Sequence, residues 1–174
     1  MTPILRSATI EDIPQIHSLY REVASNVGGL AREADEITME YVANNVMKSL
    51  KTGIILIAQH PQEITIMGEI HSYALEPRVF SHVLSELTIA VHPQFQGMGL
   101  GRMLFQHLLQ EVENTRNDIL RVELIARESN TKAIHFYQQL GFQIEGKLNR
   151  RINSRNGSYE ADIPMAWFNK YFKG

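Results

Sequence analysis

The sequence predicts an α/β fold, a single domain over residues 1–174 with a central mixed, mostly antiparallel sheet and helices on both faces. Three observations predict it. Short apolar runs rich in β-branched residues, above all Ile54-Ile55-Leu56-Ile57-Ala58, have the length and composition of buried strands. Segments with apolar residues at helical spacing alternate with them, as in Leu100, Met103, Leu104, Leu108 and Val112. The composition is that of one globular body: 174 residues at 44% hydrophobic and 21% charged can bury a core without staples.

The elements follow in order. Pro3 to Ala8 reads as an edge strand. Thr9 then opens a helix, with Asp12 three residues on, close to a capping box. Ile13, Ile16, Tyr20, Val23 and Val27 carry that helix to Gly28-Gly29, which is expected to end it. A second amphipathic helix is expected over Thr38 to Leu50, with Met39, Val42, Val46, Met47 and Leu50 as its apolar residues. The strand Ile54–Ala58, the turn His60-Pro61-Gln62-Glu63 and the strand Ile64 to Leu75 form a hairpin. Leu84 to Val91 is the next strand, ended by His92-Pro93.

From there a helix over Gly99 to Thr115, a strand over Ile119 to Ala126 and a helix over Asn130 to Leu140 alternate. Gly141 stops the last of these. Two strands, Phe142 to Ser154 and Tyr159 to Phe168, close the chain around Asn156-Gly157, a dipeptide that favours a type I′ turn.

Composition also excludes. There is no cysteine, which removes disulfides, thiolate zinc sites and a cysteine nucleophile. With 17 basic and 19 acidic residues the net charge is −2, which argues against a nucleic-acid binder. No apolar stretch approaches the roughly 18 residues of a membrane span, and Met1 to Asp12 lacks a signal-peptide pattern. A soluble, cytoplasmic protein without membrane association is expected. The seven histidines show no H-E-x-x-H or similar spacing, so no metal is expected.

The most informative stretch runs from Leu87 to Phe105, where a strand enters a turn holding Gly97, Gly99 and Gly101 and a helix follows at once. Glycines allow positive φ and close backbone approach to a ligand. The first amides of a helix have no internal partner and, with the helix dipole, favour an anion, above all a phosphate. A tight connection with no ligand is the plainer alternative. G-x-G-x-x-G fails, because Arg102 stands where the third glycine belongs, and a P-loop fails for want of Lys and Ser/Thr after Gly101. Gln96-Gly97-Met98-Gly99-Leu100-Gly101 fits Q/R-x-x-G-x-G/A at every position.

With that motif, and with Asn130-Thr-Lys-Ala-Ile-His-Phe-Tyr137 and Leu140-Gly141-Phe142 beyond it, the chain resembles the GNAT superfamily of acyl-CoA-dependent N-acetyltransferases over nearly its whole length. The resemblance implies a GNAT-like domain that transfers an acetyl group from acetyl-CoA to a primary amine. It places the coenzyme on the main chain of Ile89, Ala90 and Val91, on the turn of Gln96, Gly97, Met98, Gly99, Leu100, Gly101 and Arg102, and on Asn130 and Tyr137. It makes Tyr137 the general acid beside the coenzyme sulfur and Glu86 the general base, with His82 and Glu69 in reserve.

Each residue also has a structural alternative. Tyr137 lies at helical spacing with Ala133, Ile134 and Leu140 and fits a core; Asn130 fits a helix cap; Glu86 and Arg102 fit a solvated surface; the side chains of Ile89 to Val91 fit sheet core. No cysteine and no G-x-S-x-G elbow stand in the sequence, so direct attack in a ternary complex is the simplest route.

For the acceptor, the resemblance points to residues 26–37 and to Asn149 to Tyr159, whose charges have both signs and select no class. The closing segment is similar to members acting on amino acids or small amines, including phosphinothricin-type enzymes, so a small-molecule amine is the leading reading. Alternatives are a protein N-terminus or lysine as acceptor, or a catalytically silent acyl-CoA-binding module. Many relatives pair, so a homodimer is also expected.

Overall fold

The structure is a computed structural model, and it describes residues 2–26, 30–154 and 156–174. Among the described residues, eight strands and four α-helices form a mixed α/β fold: β1 (Ile4–Ser7), α1 (Ile13–Ala24), α2 (Met39–Thr52), β2 (Ile54–Gln59), β3 (Ile66–Ala74), β4 (Val83–Val91), α3 (Leu100–Thr115), β5 (Arg121–Arg127), α4 (Thr131–Gln139), β6 (Gln143–Ile144), β7 (Leu148–Asn153) and β8 (Tyr159–Phe168). Hydrogen-bonded neighbours run β1-β2-β3-β4-β5-β8-β6, with β7 beside β8, in one open sheet. β1–β2, β2–β3 and the pairs made by β8 are antiparallel, and β4–β5 is parallel.

The chain divides into two compact units, Met1–Ala74 with Thr88–Glu111, and Leu75–Leu87 with Val112–Gly174. In the first, β2 is buried throughout from Ile54 to Ala58, as its unbroken apolar run requires. α1 buries Ile16, Leu19, Tyr20 and Val23 in one cluster with Val42 and Val46 of α2, Ile55 and Ile57 of β2, and Ala90 of β4. α3 takes the opposite face of β3: a Cβ on Gly68 would point at Leu104, 3.1 Å away, whereas its neighbour Glu69 reaches Tyr20 of α1.

Two expectations in this unit change. α1 ends at Ala24, capped by Ser25, whose N–H donates to Arg21 O at 3.1 Å. Val27 and Gly28-Gly29, the expected end, lie outside the described residues. In α2 the inward face is Val42, Asn45, Val46 and Ser49, while Met39, Met47 and Leu50 are exposed. Asn45 and Ser49 are accommodated by hydrogen bonds: Ser49 Oγ donates to Asn45 O at 2.7 Å and Tyr73 Oη to Asn45 Oδ1 at 3.4 Å. A polar side chain with a partner can occupy a core position that hydrophobicity alone assigns elsewhere.

Before α1, Asp12 fastens the chain. Its carboxylate accepts Arg6 Nη1 and Nη2, both at 2.8 Å, and the Thr9 amide at 2.7 Å. The Arg6 hydrogen bond is the main cause that holds the Asp12 carboxyl below the usual carboxylate range. A depressed carboxylate adds stability that is complete above the unfolded value and is lost as pH falls through the folded one. Asp12→Asn is therefore expected to lose about 1–2 kcal/mol at neutral pH. In urea titrations, the gap to wild type should stay constant down to about pH 5 and close below about pH 4.

In the second unit β8 is the organiser. It pairs with β5 over seven residues, from Arg121↔Phe168 to Arg127↔Asp162, and carries β6 and β7 on its other edge. The single strand expected over Phe142 to Ser154 is divided into β6 and β7. The register slips between Leu148 and Ile152, where Arg150 takes a φ of 58°. At the β7–β8 turn, Ser154 N–H donates to Ser158 O at 3.0 Å and Asn153 pairs with Tyr159. Gly157 has φ 86°, the left-handed conformation that the expected Asn156-Gly157 turn asks of it, and residue 155 lies outside the described residues. Gly141 stops α4 as expected, with φ 97°.

Candidate active site

The first unit assembles the glycine turn. β4 ends at Val91, a short 3-10 turn covers Pro93–Phe95, and α3 starts at Leu100. Gln96 Nε2 donates back to Val91 O at 3.2 Å, which folds the turn onto the strand that precedes it. Gly97 and Gly99 both have φ 79°, a conformation that L side chains rarely adopt, and nothing lies within 4 Å of where a Cβ on either would stand. Two left-handed residues with an open flank are what a backbone cradle requires, and packing does not explain them.

Gly99 O accepts the Met103 amide at 3.0 Å, so α3 begins immediately after the cradle and its first amides have no partner within the helix. Gly101 differs in role. A Cβ there would stand 3.8 Å from Ile89 Cδ1 and 3.9 Å from Val91 Cγ2, which brings α3 and β4 together. The structure thus gathers Ile89, Ala90, Val91 and Gln96 to Arg102 in one place. Ala90 and Leu100 are buried, whereas Met98 and Arg102 are exposed.

The second unit carries Glu86, Asn130 and Tyr137. Glu86 is exposed and has a φ of 53°. Strand alternation places it on the side of Thr88 and Ala90 only if the pleat is regular, and this residue interrupts the pleat. The parallel register of β4 with β5 consists of Val83↔Arg121 and Leu84↔Val122, so it stops just before the irregular residue. A left-handed Glu in a strand costs of order 1 kcal/mol or more, and such strain gathers at functional sites.

Asn130 caps α4, with Oδ1 accepting the Ala133 amide at 3.1 Å. Tyr137 lies two turns on, its ring tilted against Phe142 with centroids 6.1 Å apart. Burial raises its phenol above the usual value, so the hydroxyl holds its proton through neutral pH. α4 has no fully buried residue. Its start is held from β8 instead: Glu160 accepts Ser129 N–H at 3.2 Å, Ser129 Oγ at 2.5 Å and Arg127 Nη1 at 3.1 Å.

Glu69, held in reserve as a base, is fully buried against Tyr20 and His71 and reaches no solvent. Residues that sequence reasoning missed are Glu160, which holds the start of α4, and His92, which reads in the sequence only as the end of a strand. No motif marks either, because each acts through a partner far along the chain. Among the described residues no group of three His, Cys, Asp or Glu side chains is placed to hold a metal ion, and no helix is long and apolar enough to cross a membrane.

Comparison with known proteins bears on the family and the fold. A [Ribosomal protein bS18]-alanine N-acetyltransferase of Salmonella typhimurium is 44% identical over 87 residues, which cover 48% of this chain and 57% of the relative. A spermidine N(1)-acetyltransferase of Escherichia coli is 34% identical over 87 residues, covering 50% of this chain and 46% of the relative. The matched stretch is thus less than two thirds of either relative. In fold, an acetyltransferase of the GNAT family from Streptococcus pneumoniae superposes with a TM-score of 0.84 at 21% identity, over 95% of this chain and 98% of that one. The sequence profile of the Acetyltransferase (GNAT) family matches residues 16–142, from within α1 through the glycine turn to just past α4. The chain belongs to the acetyltransferase (GNAT) family.

Proposed function

We propose that the chain transfers an acetyl group from acetyl-CoA to a primary amine by direct attack, with the coenzyme diphosphate on the amides of the turn from Gln96 to Arg102. The observation that carries this reading is the pair of left-handed glycines, Gly97 and Gly99, open on the Cβ side and placed directly before α3. An anion there meets several N–H donors and the positive end of the helix dipole at once. Acetyl-CoA supplies an activated thioester, and the remaining demands fall on the protein. The turn and the main chain of Ile89 to Val91 hold and orient the coenzyme. The Tyr137 hydroxyl, protonated at neutral pH, donates a proton to the departing sulfur. Glu86, exposed on its irregular strand, takes the proton of the incoming ammonium, directly or through water.

Gly99→Val is the direct test. Nothing crowds position 99, so the variant folds, and the cost is confined to the turn, where a β-branched residue resists φ 79°. Calorimetry is expected to show acetyl-CoA affinity weakened by about 10-fold or more, from a strain of about 1–3 kcal/mol. Wild-type affinity in the folded variant would remove the turn from the coenzyme site.

For the acceptor, the leading reading is a small-molecule amine or amino acid, and the spermidine-directed relative supports that class. A peptide α-amine is the second reading, favoured by the 44% identity to the ribosomal-protein enzyme. A panel of polyamines, amino acids and alanine-initiated peptides, scored by release of free thiol from acetyl-CoA, separates the two. Release with none of them would favour a silent coenzyme-binding module. A cytoplasmic location and pairing as a homodimer complete the reading.

A further inference from the structure

The connection from β4 to α3 is wound around one histidine. The His92 N–H donates to Met67 O on β3 at 2.9 Å, and the His92 carbonyl accepts the Phe95 amide at 2.9 Å. Its Nδ1 accepts the Gln94 amide at 3.3 Å, which caps the short 3-10 turn Pro93–Phe95. An accepting Nδ1 carries no proton, so the ring proton is on Nε2, and Nε2–H donates to Glu22 Oε2 on α1 at 2.9 Å. The Phe95 ring lies across the imidazole with centroids 5.4 Å apart, and the His92 side chain is only 15% exposed. Both ring nitrogens are therefore committed, one to the backbone that leads into Gln96 and the other to a helix remote in sequence.

The residues that follow need such an anchor. Gly97 and Gly99 give the turn its left-handed shape, but glycine also loses more backbone entropy on ordering than any other residue. A turn that must order around a ligand binds more weakly than one already ordered. At its far end the turn is held by α3, through the Met103 amide on Gly99 O and through Leu100, which is 2% exposed. At its near end the turn is held by Gln96 Nε2 on Val91 O and, ahead of Gln96, by the His92 constellation.

We propose that His92 and Glu22 are positioning residues for coenzyme binding. The Glu22–His92 pair locks the imidazole so that Nδ1 fixes the Gln94 amide, and this sets the direction in which the amides of residues 97–101 point. The inference rests on the coenzyme reading given above.

The test uses the full chain, with acetyl-CoA as the probe in calorimetry and in steady-state kinetics with whichever amine the panel identifies. Glu22→Ala and His92→Ala are expected to raise both Kd and KM for acetyl-CoA by about 3- to 10-fold, the size of one lost hydrogen bond. The value of kcat at saturating coenzyme and the KM for the amine are expected to stay within about twofold. Glu22→Gln, whose side-chain carbonyl still accepts Nε2–H, should return Kd toward wild type. His92→Asn, whose carbonyl can still cap the Gln94 amide, should recover part of it.

A merely structural pair would lower the urea midpoint and leave Kd unmoved in the folded variants, and that result overturns the proposal. Should His92→Ala not fold, Glu22→Ala decides alone, because the Glu22 side chain is 49% exposed on the surface of α1. Failure of the wild-type chain to bind acetyl-CoA at all would sink the coenzyme reading itself. Wild-type binding together with unshifted Kd in both variants would sink only the positioning role.

Discussion

Tyr137→Phe is expected to lower kcat by about 100-fold or more and to leave the KM for acetyl-CoA within about twofold. The substitution keeps the ring that tilts against Phe142 and Phe136, so packing in the last turn of α4 is preserved and only the hydroxyl is lost. A donor must hold its proton at working pH. Burial, which lifts the Tyr137 phenol above its usual value of 10.0, guarantees that through the neutral range. The sign is definite. A raised phenol keeps its proton over a wider range, so Tyr137 should cause no alkaline fall in kcat until above about pH 10. The measurement is a pH–rate profile at saturating acetyl-CoA for both forms. If Tyr137 only fills space, the Phe variant turns over as wild type at every pH, and another group must protonate the thiolate.

Much of the scaffold behind that residue is legible in the sequence, because the signals are strong and local. The run Ile54 to Ala58 has no polar residue and becomes a strand buried along all five positions. Thr38 caps α2 through Oγ1, which accepts the Tyr41 amide at 3.1 Å, and Asn130 caps α4 in the same way. The glycine motif is legible for a different reason: positive φ at Gly97 and Gly99 is a demand that almost no other residue meets.

What stays illegible depends on partners far away in sequence. Asn45 and Ser49 face inward because Tyr73 and their own helix backbone satisfy them, and no window around α2 contains Tyr73. Glu86 takes φ 53° against its own preference, so propensity argues for a regular strand where the chain is bent. Glu69 has the residue type of a base and lacks the exposure, which only the packing of α1 on β3 reveals. Gln94 and Phe95, close in sequence, explain half of the bonding of His92, and Met67 and Glu22, twenty-five and seventy residues earlier, supply the rest.

The largest loss of stability is expected from His71→Ala, about 3–5 kcal/mol at neutral pH. His71 and Glu69 alternate along β3 on the face that meets α1, and Tyr20 comes down between them. His71 and Tyr20 are each 1% exposed and Glu69 is 0% exposed. His71 Nδ1 lies 2.9 Å from Glu69 Oε1 and 2.9 Å from the Tyr20 hydroxyl, and that hydroxyl donates to Glu69 Oε2. Burial first, and then the Glu69 carboxylate, push the Tyr20 phenol well above its usual value, so Tyr20 remains a donor. Each carboxylate oxygen thus has a donor of its own. Removing the imidazole strips Glu69 Oε1 of its partner in a site without solvent, where an unmatched carboxylate is most costly, and it also leaves a cavity.

Replacing the whole cluster should cost far less. The triple variant Tyr20→Phe, Glu69→Leu, His71→Leu removes every polar group together, and buried polar networks exchanged for apolar side chains of similar volume are often close to neutral. Urea unfolding of the two variants at pH 7 is the comparison. A single variant within about 1 kcal/mol of wild type would show that the Glu69–His71 contact contributes nothing. A triple variant as unstable as the single one would show instead that shape, and not the unmatched carboxylate, sets the loss.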